Sequence, residues 1–167
     1  MCLKGIYIGL DFDGTVVTHD YPNMGNEVPH CIDTLKQITD AGGKLILITM
    51  RSGRSLTEAV AYLNDHDIPL YGINNNPQQH LYSKSPKIYA NIYIDDAALG
   101  CPLISSELSD NAYVDWLQVQ LYFFPKNGQK PLQSVLMEVP VYDEIPVDPP
   151  KKVLNFFTDM FSRLGFE

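Results

Sequence analysis

A Rossmann-like α/β fold, a mainly parallel sheet sandwiched by helices, is what the sequence predicts, and three observations predict it. Short, continuously apolar runs, Gly5-Ile6-Tyr7-Ile8-Gly9-Leu10, Leu45-Ile46-Leu47-Ile48 and Ile92-Tyr93-Ile94, read as strands buried on both faces. Segments with helical spacing of apolar residues lie between the early runs, so consecutive strands are joined by right-handed crossovers and run parallel. A length of 167 residues, 45% hydrophobic and 19% charged, suits one domain with a real core.

The first strand, Gly5 to Leu10, is closed by the turn-prone pair Asp13-Gly14. Pro and Gly around Tyr21 to Asn26 break regular structure, and from Pro29 the spacing of Ile32, Leu35 and Ile38 predicts a helix that stops at Gly42-Gly43. Lys44 to Met50 is the second strand. Ser55, with Glu58 three residues on, has the form of an N-cap opening a helix through Leu56, Ala59, Val60 and Leu63 to about His66. Asp67 to Tyr71 gives a weak third strand, and Ile88 to Ile94 a fourth that leads into Asp95-Asp96. Asn111 to Phe124 reads as a helix, or a helix then a strand, around Trp116.

These elements assign residues 1–124 to one α/β domain and 125–167 to an extension. Pro131, Pro140, Pro146, Pro149 and Pro150 punctuate the extension, with one strand expected at Ser134 to Val139. Val153, Phe156, Phe157, Met160, Phe161 and Leu164 then recur at helical spacing, an apolar face expected to pack on the domain or to join two copies as a homo-oligomer.

The bulk properties exclude several classes of function. No apolar run approaches the roughly 20 residues of a membrane-spanning helix. The start, Met1-Cys2-Leu3-Lys4-Gly5, lacks the regions of a secretory signal, and Cys2, Cys31 and Cys101 show no metal or disulfide spacing, so a cytoplasmic chain with reduced thiols is expected. A net charge of -8 gives no strong nucleic-acid signal.

The chemistry gathers at strand ends. Side chains two apart in an extended strand point the same way, so Asp11 and Asp13 converge beyond the first strand while Phe12 turns into the core. Two carboxylates that close repel unless a hard cation neutralises them, and magnesium with oxygen ligands answers that need. A lone Asp-x-Asp-Gly is equally a solvated turn, and the spacing excludes an EF-hand because Val16 and Pro22 stand where Gly and Glu belong. The other strand ends raise the signal: the second and fourth finish at Thr49 and Asp95-Asp96, and open parallel sheets bind ligands beyond their carboxyl ends.

In this order the residues resemble the four motifs of the haloacid dehalogenase superfamily, over roughly Gly5 to Pro102. Asp11-Phe12-Asp13-Gly14-Thr15-Val16 is similar to its first motif, Ile48-Thr49-Met50-Arg51 to its second, Lys87 to its third and Ile94-Asp95-Asp96 to its fourth. The resemblance implies a magnesium-dependent phosphatase acting on a small phosphorylated substrate, a nucleotide or another phosphomonoester. Asp11 would be the nucleophile that becomes an aspartyl-phosphate, and Asp13 the general acid and base. Asp11, the Asp13 carbonyl and Asp96 would hold Mg2+, with Asp95 behind them. Thr49 and Lys87 would meet the phosphoryl oxygens, Lys84 being the alternative lysine, and Arg51 could grip a phosphate or be a solvated surface arginine. Ala97 stands where many such members carry Arg after the acidic pair, and the gaps between motifs leave no room for a large cap domain.

Receiver domains collect similar residues, but place the acidic pair after their first strand, the reverse of the order here. A catalytically silent binding protein on the same fold is the remaining alternative.

Overall fold

In the computed structural model, which describes residues 2–126, the chain runs β1 (Tyr7–Leu10), α1 (Cys31–Asp40), β2 (Lys44–Leu47), α2 (Gly53–Asp65), β3 (Leu70–Ile73), a 3-10 turn (Gln79–Leu81), β4 (Ile92–Ile94), β5 (Leu103–Ser106), β6 (Ser109–Val114) and α3 (Trp116–Phe123). The four early strands form one parallel sheet in the order β3-β2-β1-β4, flanked by helices, a Rossmann-like α/β arrangement. Leu10 sits opposite Leu47 on one side and Ile94 on the other, so β1, β2 and β4 end in line. That alignment brings the segments after them to one edge.

The alternation along each strand decides its two environments. Ile8, Leu10, Leu45 and Leu47 are buried in one core with Leu35 and Ile38 of α1, Ala59 and Leu63 of α2, and Val119 and Phe123 of α3. Tyr7 belongs to the other face, where its ring lies 5.4 Å from Tyr71 and 6.2 Å from Tyr89, and the Lys44 ammonium lies 4.5 Å from the Tyr71 ring centre. The segment from Asn74 to Asn91 covers this face through side-chain amides. Gln79 donates to the carbonyls of Ser85 and Lys87 and accepts from Tyr89 N, while Asn76 donates to Tyr89 O.

Those amides explain a first departure from the sequence reading. Ile88 to Asn91 read as strand, yet their backbone is partly committed to Gln79 and Asn76, and the ladder begins only at Ile92. The third strand also starts late, because Asp67 adopts a positive φ of 59° and Ile68 N bonds back to Leu63 O in the turn that ends α2. Ser55 is not the cap of α2: Ser52 occupies that position, and the Ser55 hydroxyl donates back to the Ser52 carbonyl from within the first turn.

The region around Trp116 corrects the sequence reading more fully. A hairpin, β5 paired antiparallel with β6, precedes the helix where a helix was expected first. Every residue of β5 is exposed, so no buried stripe marks it in the sequence. The helix that follows has a sequence signal that was missed: Asp115 caps α3, accepting from Leu117 N and Gln118 N. The strand expected at Ser134 to Val139 and the helix from Val153 to Leu164 lie outside the described residues. Among the described residues no helix is long and apolar enough to cross a membrane.

Candidate active site

The turn after β1 is built to present carboxylates. Phe12 is fully buried and its carbonyl accepts from the backbone N–H groups of Thr15, Val16 and Val17, which folds the chain back within one turn. Gly14 sits at φ 77°. A Cβ there would overlap Nε2 of His19 and stand 2.6 Å from Oδ2 of Asp96, so the position requires glycine for conformation and for room. Val114 N donates to Gly14 O, and the buried Trp116 indole donates to Thr15 O at 2.7 Å. The hairpin and α3 therefore clamp the turn from behind.

Asp11, Asp95 and Asp96 converge, each offering a carboxylate oxygen within 4.8 Å of the others. Asp11 N bonds to Ile94 O, continuing the β1–β4 register one residue past the strands. Thr15, fully buried, ties the two sides: its hydroxyl donates to Asp11 Oδ2 at 3.2 Å and accepts from Asp96 N at 3.3 Å. Sequence reasoning treated Thr15 only as part of a motif. Its hydroxyl, between two acidic residues, gave no separate signal.

Crowding leaves a mark on Asp11. Burial, reinforced by the charges of Asp95 and Asp96, pushes its carboxyl up from 3.8 to about 7, against the lowering effect of hydrogen bonds from the Phe12 backbone and Thr15. Three half-buried carboxylates with nothing but oxygen donors form a set suited to a hard divalent cation, and a cation there would relieve the repulsion that raises Asp11. Magnesium fits this donor chemistry, and Asp11, Asp95 and Asp96 are the side chains that would hold it.

The remaining expected residues divide. Thr49 is buried beyond β2, its hydroxyl accepting from Arg51 N at 3.1 Å. Asn74 holds it there with a reciprocal pair of bonds, Thr49 N to Asn74 Oδ1 and Asn74 Nδ2 to Thr49 O, each 2.9 Å. Arg51 is not a solvated surface arginine. Its side chain is fully buried and grips Asp13 through two bonds, with a third to Asn23 O. Its Nη1 is buried without a hydrogen-bond partner. Arg54, by contrast, is exposed and pairs with Glu58.

Lys87 and Lys84 are both exposed, and among the described residues neither ammonium forms an ion pair with Asp11, Asp95 or Asp96. The structure brings three carboxylates, Thr15, Thr49 and the Asp13–Arg51 pair to one sheet edge, and leaves the lysine outside hydrogen-bonded contact.

His19 is a further residue the sequence reading did not single out. Its Nε2 lies 2.8 Å from Asp96 Oδ2, and it lines an open cleft of about 590 Å3 together with Tyr21, Asp96, Leu103 and Asn111. A lone His eight residues beyond Asp11 carries no motif, so only the fold reveals its place.

A solved structure, that of a conserved protein from Bacteroides thetaiotaomicron, is similar to this chain at 27% identity and a TM-score of 0.60, over 83% of this chain and 98% of the other. No protein-family model and no curated protein matches the sequence. The similarity supports the α/β architecture and extends over nearly the whole of the neighbour.

Proposed function

We propose that this chain is a magnesium-dependent phosphomonoester hydrolase of the haloacid dehalogenase type. The observation that carries the reading is the convergence of Asp11, Asp95 and Asp96 at the ends of two adjacent parallel strands. Magnesium, when bound, would neutralise the carboxylates and polarise the phosphoryl group.

Asp11 attacks phosphorus in line with the leaving oxygen, forming an aspartyl-phosphate that water then cleaves, so one difficult displacement becomes two easier ones. The Asp13 carboxylate has about four acceptor sites, of which the Arg51 fork takes two. The rest are available to exchange a proton with the leaving oxygen and then with water. Arg51 thereby acts as a positioning residue for Asp13. Thr49 and a lysine of the Lys84 to Lys87 segment would meet the phosphoryl oxygens, the lysine by swinging in with substrate.

The test is turnover of an aryl phosphate with magnesium, with the metal chelated, and in Asp11→Asn. Activity that needs magnesium and vanishes in the variant is expected; equal activity in Asp11→Asn would sink the nucleophile assignment. One observation favours a second reading, a binding protein that keeps the fold without turnover: no ion pair from Lys84 or Lys87 reaches the acidic cluster among the described residues. Absence of turnover across a panel of phosphomonoesters, with magnesium still bound, would select it.

A further inference from the structure

The ground beside the acidic cluster is a cleft with walls of unequal origin, and its chemistry bears on what the enzyme would accept. One wall is the segment after β1, through His19, Asp20 and Tyr21; the other is the β5–β6 hairpin, through Leu103 and Asn111. Asp96 is part of the lining, so the cleft opens directly on the proposed centre. Its volume of about 590 Å3 lies within the roughly 300–1,000 Å3 of small-molecule sites. A second hollow of about 260 Å3 shares His19, Asp20 and Asn111 and extends the cleft along the hairpin to Asp110.

We propose that this cleft receives the leaving group of the substrate and selects phosphomonoesters whose leaving group is uncharged, against those that carry a second phosphate or a carboxylate. The inference rests on the phosphatase reading above and names the substrate class of that same site.

Charge carries the first half of the argument. Among the described residues neither hollow has a lysine or an arginine in its walls, while Asp20 lines both hollows and Asp110 lines the smaller one. Among the described residues the arginine at the centre, Arg51, is buried and already paired with Asp13. A second anion on the substrate would leave the metal site and enter a region where the fixed charges repel it, with no guanidinium fork to offset the loss of its hydration.

Surface chemistry carries the second half. Tyr21 is 61% exposed and Leu103 47% exposed, large side chains with apolar surface at the mouth of a polar site. Asn111 and His19 add hydrogen-bonding groups between them. Apolar faces with a few polar groups suit an uncharged ring with hydroxyl or amide substituents, which gains from burial against Tyr21 and Leu103 and finds partners at its edges. The hairpin is thus the specificity wall, and Asp20 and Asp110 its exclusion device.

A matched pair of substrates tests this: benzyl phosphate and its para-carboxybenzyl analogue, alike in shape apart from the added charge. The expected result is a kcat/KM at least about tenfold higher for the uncharged ester, with the ratio falling several-fold in an Asp20→Asn/Asp110→Asn variant and at high salt. Calorimetry of the two corresponding phosphonates, which are not hydrolysed, on the magnesium-loaded wild-type protein reads the same discrimination as affinity, without turnover. Equal or better use of the carboxylated ester, or a ratio unmoved by the double variant, overturns the cleft assignment while leaving the phosphatase reading intact. Failure of both esters to turn over and of both phosphonates to bind removes the phosphatase reading, and this inference with it.

Discussion

The guanidinium of Arg51 holds the carboxylate of Asp13 in a fork, Nε to Oδ2 at 2.8 Å and Nη2 to Oδ1 at 2.7 Å, with the Arg51 side chain wholly out of solvent. The Phe12 ring lies 5.1 Å and the Tyr21 ring 5.6 Å from the guanidinium carbon. A buried cation with one donor unmet is costly to keep, so its removal and the removal of its partner have different consequences. Breaking such a pair from one side costs about 3–5 kcal/mol.

Arg51→Met should therefore lower unfolding free energy by about 3 kcal/mol, because Asp13 and the Asn23 carbonyl lose their donors together. Arg51→Lys keeps the charge but not the fork, and should recover only part of the loss. Urea unfolding of wild type, Arg51→Met, Asp13→Asn and the double variant measures the coupling directly. A coupling energy near zero would show that the two side chains do not depend on each other.

How far the fold was legible follows from the range of each interaction. The alternation of strands and helices around a parallel sheet and the meeting of Asp11 with Asp95-Asp96 at its edge were readable because strand periodicity is local and a parallel sheet lines up its carboxyl ends. The Asp13–Arg51 pair spans 38 residues and the Trp116–Thr15 bond 101, and no local pattern announces either. The hairpin escaped because β5 buries nothing, so its alternation has no apolar phase. Asn74 opens an Asn-Asn-Asn-Pro run of the kind found in plain turns; its left-handed φ of 46° and its two bonds to Thr49 show a turn that also fixes a site residue.

Gly14 makes a sharper test of the turn than any of the charged residues. Alanine there must hold φ near 77° and displace His19 Nε2 and Asp96 Oδ2, the second of which belongs to the proposed metal site. Gly14→Ala should cost about 1–3 kcal/mol in stability and weaken magnesium binding at least about tenfold. Thermal unfolding with and without magnesium separates the two effects: strain lowers both transitions, while loss of the site also shrinks the gap between them. An unchanged gap would mean that Asp96 is not a ligand.

Asp11 gives the prediction with the clearest sign. In the metal-free fold its carboxyl titrates at about 7, against an ordinary 3.8, because burial and the neighbouring charges of Asp95 and Asp96 disfavour the ion. Between these two values the folded chain holds a proton that the unfolded chain has released, so the fold loses stability as pH rises through this window. The penalty is complete above about pH 7 and amounts to at most about 4 kcal/mol. Asp11→Asn removes the titrating group, and its metal-free melting temperature should exceed wild type at about pH 8 but not at about pH 4. Magnesium must displace the same proton, so its affinity for wild type should climb by up to about tenfold per pH unit below about pH 7 and level off above it. Thermal melts across this range, paired with calorimetric magnesium titrations, read both halves. A wild-type melting temperature that rises from acid to neutral pH without metal, with Asp11→Asn following it in parallel, would show that Asp11 carries no such burden.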